Sequence, residues 1–287
     1  MAEIIQRNGT WTFDGEALLL VPGRDKSVGP LRRTLGELTV PLAALAGVSF
    51  EQGRKSGRLR LRLREGADPL LQATGGRLVD SADPYQLTVE SDRYGVAEYF
   101  VDEIRGALLL NEVPATAVDR YLLPGPAVPL SVSAGDGTVS FDGERVHLEW
   151  NWKTEEAKAA AGARTLDLAD IRSVEWHPAV GLESGHLRFT VRGAPTKVPP
   201  KYDPNAVELW GFKKDPMALV AAAVQARLAH PSATAAADAP PKQLAAAPAP
   251  DHDALLRRLR ELGDLHRTGV LTDEEFTLAK QAVLRGM

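Results

Sequence analysis

Short runs in which apolar and polar residues alternate fill much of this chain, and glycine-bearing turns punctuate them. In "GTWTFDGEALLL", Trp11 and Phe13 alternate with Thr10 and Thr12, and Leu18 and Leu20 continue the apolar set beyond Asp14-Gly15. A period of two puts such a quartet on one face of a strand pair. Asp-Gly between alternating runs predicts a β-hairpin with a two-residue type I′ turn. The opening returns as "GTVSFDGE" from Gly137, with Val139, Phe141, Val146 and Leu148 in the matching positions. Both quartets are expected inside.

The repetition extends well beyond the turn. "LAALAGVSFE" resembles "DLADIRSVEW", "SGRLRLRLR" resembles "SGHLRFTVR", and "DPYQLTVESDRYGVAEYFVDEIRGAL" matches "DPNAVELWGFKKDPMALVAAAVQARL". The offset is 128 residues at the first and third blocks, 126 at the second and 120 at the last. Each change falls in a loop rich in Gly, Pro or charge, where insertions are tolerated. At the end of each unit the apolar interval lengthens to three and four. Phe100, Ile104 and Leu108, broadened by Tyr99 and Val101, predict one helix; Met217, Val220, Val224 and Leu228 predict the other. Asp215-Pro216 reads as its N-cap and first helical residue. The fold class is mainly β (α+β): a duplicated small β-barrel or sandwich, each copy closed by a C-terminal helix. Strand order and closing helix resemble the pleckstrin-homology (PH)-like fold, and the doubled unit is similar to an uncharacterised actinobacterial family with tandem PH-like domains.

From His230 to about His252 Ala, Pro and Ser dominate, the composition of a semi-extended tether. Beyond it Leu255, Leu259, Leu262 and His266 fall at helical spacings, and Gly269 stands where a C-cap belongs. Thr272 and Glu275 form a capping box ahead of a second stripe, Phe276, Ala279 and Val283. This helical hairpin resembles the short C-terminal domain called SHOCT, in its leucine-spaced first helix, Gly269, Thr272, Glu275-Phe276, Lys280 and Leu284. The resemblance implies an association module rather than a catalyst, with Leu255, Leu259, Leu262, Phe276 and Val283 as the candidate association residues. The expected organisation is a first domain over 1–112, a linker over 113–129, a second domain over 130–229, the tether over 230–252 and the hairpin over 253–287.

Composition narrows the functional classes. With 44% hydrophobic and 25% charged residues in 287, the chain can bury ordinary cores. Lys plus Arg against Asp plus Glu count 14 to 16 over residues 1–112, 13 to 14 over 113–231 and 7 to 8 over 232–287. No segment has the positive excess of a dedicated nucleic-acid binder. Without cysteine there is no disulfide, thiolate metal site or Cys nucleophile. The N-terminus lacks the pattern of a signal peptide, and no apolar run reaches the roughly 20 residues of a membrane span. A cytoplasmic location is the expectation.

Candidate chemistry is sparse. The six histidines are scattered in sequence without a metal-ligand spacing, no phosphate-loop or nucleophile-elbow motif occurs, and Glu155-Glu156 reads as a charged loop. No cofactor or catalytic residue is expected, and the protein reads as a non-enzyme. "RLRLRLR" is the unusual stretch: Arg58, Arg60, Arg62 and Arg64 share one strand face, with Arg54 and Lys55 nearby. It reads either as a solvated outer face or as an anion-facing stripe. The PH resemblance would place inositol-lipid binding at the first hairpin loop, but here that loop is a tight turn followed by Glu16 or Glu144. Trp11, Trp176 and Trp210 read as core; Trp150 and Trp152, placed on one strand face, read as the aromatic anchors of any partner site. The leading expectation is a binding or scaffold protein that meets a protein partner or itself through residues 253–287. A peripheral adaptor making weak contact with anionic lipid is the second reading, and an enzyme with an inter-domain site the third.

Overall fold

The structure is a computed structural model that describes residues 1–181, 183–193, 198–210, 215–232, 263, 264, 266, 267 and 272–285, the side chains of 275, 280 and 282–285 excepted. The chain divides into two compact units, residues 1–236 and 237–287. Sequence period two dictates the start of the first. Strand β1 (Ala2–Gln6) pairs antiparallel with β2 (Gly9–Phe13), and β2 with β3 (Ala17–Pro22) in a register that sets Trp11 opposite Leu20 and Phe13 opposite Leu18. All four are buried, and so are Val139, Phe141, Val146 and Leu148 of the second copy.

The turn between β2 and β3 departs from the expected type I′ geometry. Asp14 N–H donates to the Ala17 carbonyl, which makes Gly15 and Glu16 the two central residues. Gly15 takes φ 108°, open to glycine, and the Asp14 carboxylate accepts from the backbone N–H of Glu16 and Ala17, both at 2.8 Å. Asp142 repeats this with Glu144 and Arg145, beside Gly143 at φ 113°. These donors hold both carboxyls below the ordinary carboxylate pKa. "FDGE" is therefore duplicated because aspartate and glycine together build the turn.

Helix α1 (Pro30–Leu35) lies between β3 and β4 (Leu38–Pro41), and β1 to β4 form a four-stranded meander. Strands β5 (Leu45–Glu51), β6 (Ser56–Leu63) and β7 (Gln86–Glu90) form a second antiparallel sheet, with helix α2 (Pro69–Thr74) between β6 and β7. Helix α3 (Tyr94–Leu110) then packs on β1, β5 and β7 through Ala97, Phe100, Val101 and Ile104. Tyr99 points to solvent and does not widen the buried stripe. In the second copy β8 (Leu130–Ala134), β9 (Gly137–Phe141), β10 (Arg145–Trp150) and β11 (Arg164–Asp167) form the first sheet. Strands β12 (Ile171–His177), β13 (Gly185–Val191) and β14 (Ala206–Leu209) form the second. Glu156, expected in a loop, opens the short helix α4 (Glu156–Ala160) between β10 and β11. No closed barrel forms among the described residues; each copy keeps two open sheets and a closing helix.

The closing helix of the second copy, α5 (Met217–Gln225), differs from its counterpart in what surrounds it. It packs on β8, β9, β12 and β13 as α3 does on its own sheets, and also on α2 and α1 of the first copy. All nine of its residues are buried, Pro216 taking the N-cap position one residue beyond the expected Asp215. A helix apolar on every side is one enclosed on every side. Leu31, Leu70 and Ala73 of the first copy belong to the same apolar core as Val220, Phe141 and Trp176 of the second. Offset 128 at β6 and 120 at β7 leaves the first copy eight residues longer in the intervening loop, and that insertion is where α2 sits. The connector joins in: Gln225 donates to the Tyr121 hydroxyl at 2.8 Å, and a Cβ on Gly125 would stand 2.4 Å from that of Ala226.

In the second unit helix α6 (Asp273–Arg285) begins after Thr272, whose carbonyl accepts from Phe276 N–H at 2.9 Å. His266 stacks on Phe276 at 4.7 Å and contacts Asp273 at 2.5 Å. Leu255, Leu259 and Leu262 lie outside the described residues, as does the Val283 side chain.

Candidate functional site

Alternation in β6 sends Leu59, Leu61 and Leu63 into the core and the arginines to the opposite face. Register then fixes their neighbours: Arg58 stands across from Thr88 and Arg60 across from Gln86. Over the Arg58–Thr88 end of this face fold the β1–β2 turn at Asn8, the segment carrying Ser27 and Arg32, the β5–β6 turn, and Asp80-Ser81. They enclose an open polar cavity of about 430 Å³. Arg32 forms one wall from α1, and only 4% of its surface is exposed. Its Nη2 donates to the Asn8 carbonyl at 3.0 Å, yet no carboxylate lies within 4 Å of the guanidinium among the described residues. Burial pulls its pKa below the usual guanidinium value, and the more distant Asp83 partly offsets this. On the same wall Gln86 is buried with its Oε1 unpartnered.

The duplication supplies a comparison within one chain. Applying the offsets 128, 126 and 120, Asn8 corresponds to Asp136, Arg32 to Lys158 and Thr88 to Glu208. In the second copy Lys158, on α4, is fully buried and paired directly with the Asp136 carboxylate, itself buried. Asp136 Oδ1 accepts from Glu208 N–H at 2.8 Å, and Lys158 Nζ also donates to the Pro200 carbonyl at 3.2 Å and lies 4.6 Å from the Trp150 ring centroid. In the first copy the Asn8 amide, turned so that its oxygen faces β7, accepts from Thr88 N–H at 3.0 Å. The scaffold is the same, with a buried cation on the short helix and a residue at the first turn tied to the last strand. Only the second copy has the carboxylate that neutralises the cation.

The arginine stripe is largely engaged by the protein itself. Arg58 pairs with Asp80 at 2.8 Å and Arg60 with Asp83 at 3.5 Å. The second of these is duplicated, since Arg188 pairs with Asp203 at 3.0 Å. Arg64 donates to the carbonyls of Thr116 at 2.8 Å and Ala43 at 3.0 Å, and Arg62 reaches Ala46 O at 3.5 Å. Arg54 and Lys55 are exposed in the β5–β6 turn. The six residues are therefore not one open basic surface, and Arg58 alone of them lines the cavity.

Two of the histidines scattered in sequence, His177 and His186, meet in space. His177 and His186 are cross-strand partners on β12 and β13, their rings stacked at 4.5 Å, and Glu175 completes a set whose ligand atoms lie within 4.8 Å of one another. Arg77 of the first copy donates to His177 Nδ1 at 3.2 Å, so that lone pair is engaged. Burial, the partner imidazole and the nearby Arg188 and Arg77 bring the His186 pKa down to about 4; burial and Arg77 lower that of His177. Trp11 and Trp176 are core, as expected, whereas Trp210 is half-buried. Trp150 and Trp152 do not share a strand face: β10 ends at Trp150, whose indole donates to Gly162 O at 2.8 Å, and Trp152 in the following turn is 89% exposed.

Residues 11–105 and 139–225 both match a family described as Domain of unknown function (DUF4429). The chain belongs to the DUF4429 family. No curated protein matches it. The matched spans run from the first hairpin into the closing helix, so the DUF4429 unit takes in both the turn aspartate and the buried cation. Sequence reasoning missed that cation because Arg32 and Lys158 sit on short helices in β3–β4 and β10–β11 connections of unequal length. The offset of 126, counted back from β4 and β11, is the signal that aligns them.

Proposed function

We propose that this DUF4429 protein is a non-enzymatic binding and scaffold protein. Two PH-like domains form a single platform, and a SHOCT-like C-terminal segment brings copies of the chain together. The observation that carries the reading is the complete burial of α5 against α2 of the other copy, which makes two repeats one body rather than two beads. Two meandering sheets followed by a packed helix in each copy support the PH-like assignment. Residues 237–287 form a compact unit of their own, and α6 carries Leu278 with 68% of its surface exposed, an apolar group that association would cover. A soluble cytoplasmic setting fits this reading, and no described helix is long and apolar enough to cross a membrane. Light scattering of the full chain tests it. At tens of micromolar the chain is expected to be oligomeric, and Leu259→Asp with Leu262→Asp should yield a monomer whose platform melts unchanged. A monomeric full chain would reject self-association and leave the scaffold reading to a foreign partner.

A further inference from the structure

We infer that the polar cavity of the first DUF4429 copy is a binding site for a small oxyanion, a phosphate or carboxylate group on a hydroxylated molecule, seated against Arg32. The second copy shows what a buried cation requires at this place in the fold. Lys158 is held by a carboxylate that the same turn supplies, and both groups are withdrawn from water. Taking a charge out of water is unfavourable unless an opposite charge and hydrogen bonds replace the lost hydration. In the first copy the corresponding position is Asn8, whose neutral side chain is committed to Thr88. Arg32 is also buried, though at the wall of a cavity, yet it receives one carbonyl and no carboxylate within 4 Å among the described residues. Where the second copy fills the space with its own ion pair, the first keeps a cavity of about 430 Å³ with Arg32 in its wall.

The remaining lining describes the ligand. Ser27, Ser56 and Ser81 offer hydroxyls, and buried Gln86 offers an amide oxygen without a partner, groups suited to a molecule that both donates and accepts. Arg58 is a second guanidinium beside the cavity, already balanced by Asp80. Glu51 and Asp80 also line it and set a limit on charge: a small oxyanion fits at Arg32, whereas a polyanion would meet both carboxylates. A guanidinium also suits the two oxygens of a carboxylate or phosphate better than an ammonium does. Arginine in the open copy and lysine in the closed one follow that preference.

The experiment uses the full chain and lets the second copy prescribe the decisive variant. Asn8→Asp writes the carboxylate of Asp136 into the first copy, so it should satisfy Arg32 internally and displace any anion. Titration calorimetry with inorganic phosphate and with glycolate, a hydroxylated monocarboxylate, should show saturable binding to the wild type for at least one of them. Asn8→Asp and Arg32→Gln should each weaken it tenfold or more. Asn8→Asp should also melt no lower than the wild type without ligand, which separates loss of a site from loss of fold. Sedimentation with phosphatidylcholine vesicles, with and without phosphatidylserine, locates the source of the anion. Phosphate or glycolate binding without pelleting identifies a free molecule, whereas serine-lipid-dependent pelleting abolished by Asn8→Asp identifies a lipid headgroup. If neither anion nor vesicle binds, or if binding is indifferent to Asn8→Asp, Arg32 does not await a ligand and the inference is wrong.

Discussion

Asp136→Asn is the sharpest perturbation of the second copy, because it changes one charge and almost nothing else. Asparagine keeps an oxygen that can accept from Glu208 N–H, now at 2.8 Å, so the tie between the first turn and β14 survives. What disappears is the counter-charge of Lys158, which is fully buried and whose other polar contact is the Pro200 carbonyl. Removing one partner of a buried ion pair costs about 3–5 kcal/mol, because the remaining charge stays desolvated without compensation. For a body of this size each kcal/mol lowers Tm by about 2–4 °C, so a fall on the order of 10 °C is expected. Thermal and urea unfolding should be followed by tryptophan fluorescence, since Trp150 lies beside the pair and Trp176 in the same core. Adding Lys158→Met should recover most of the loss, leaving the double variant within about 2 kcal/mol of the wild type, because two absent charges need no solvation. An Asp136→Asn protein within about 1 kcal/mol of the wild type, or a double variant no better than the single, would refute the reasoning.

Two further outcomes follow from other parts of the body. His186 has a folded-state pKa of about 4 against an ordinary 6.5. The unfolded chain therefore binds more protons between those values, and stability contributed by the neutral ring is full above pH 6.5 and lost as pH falls toward 4. His186→Gln should flatten that part of the pH–stability curve, read from urea midpoints, while an unchanged slope would assign the acid sensitivity elsewhere. Leu70→Ala on α2 removes an apolar side chain of the first copy from the core of the second, and should cost about 2–5 kcal/mol. Hydrogen exchange should report the loss in α5 as well as in α2, and a loss confined to α2 would mean that the helices do not support each other.

Strand content and the duplication were legible in the sequence because period two and the "FDGE" turn act locally. Trp11, Phe13, Val139 and Phe141 sit where alternation places them. The wrong turn type has a local cause as well: Asp-Gly was read as the pair of central residues, when Asp14 works from the preceding position through its carboxylate. Non-local facts were not legible. The sequence of α5, apolar but for Gln225, predicts a one-sided stripe, and only the α2 insertion of the other copy explains why every side is covered. His177 and His186 are nine positions apart and become neighbours only through the β12–β13 register. The arginine stripe was correctly placed on one face, but Asp80 and Asp83 come from a loop whose path no pattern in the stripe reveals. Arg32 escaped notice for a related reason, since an arginine in a six-residue helix gives no sign of burial until its counterpart Lys158 is seen paired.

That the two DUF4429 copies fold as one platform is tested most directly by differential scanning calorimetry of residues 1–236. A shared core around α5 predicts a single transition whose calorimetric and van't Hoff enthalpies agree. Two separable transitions, one for each copy, would contradict it.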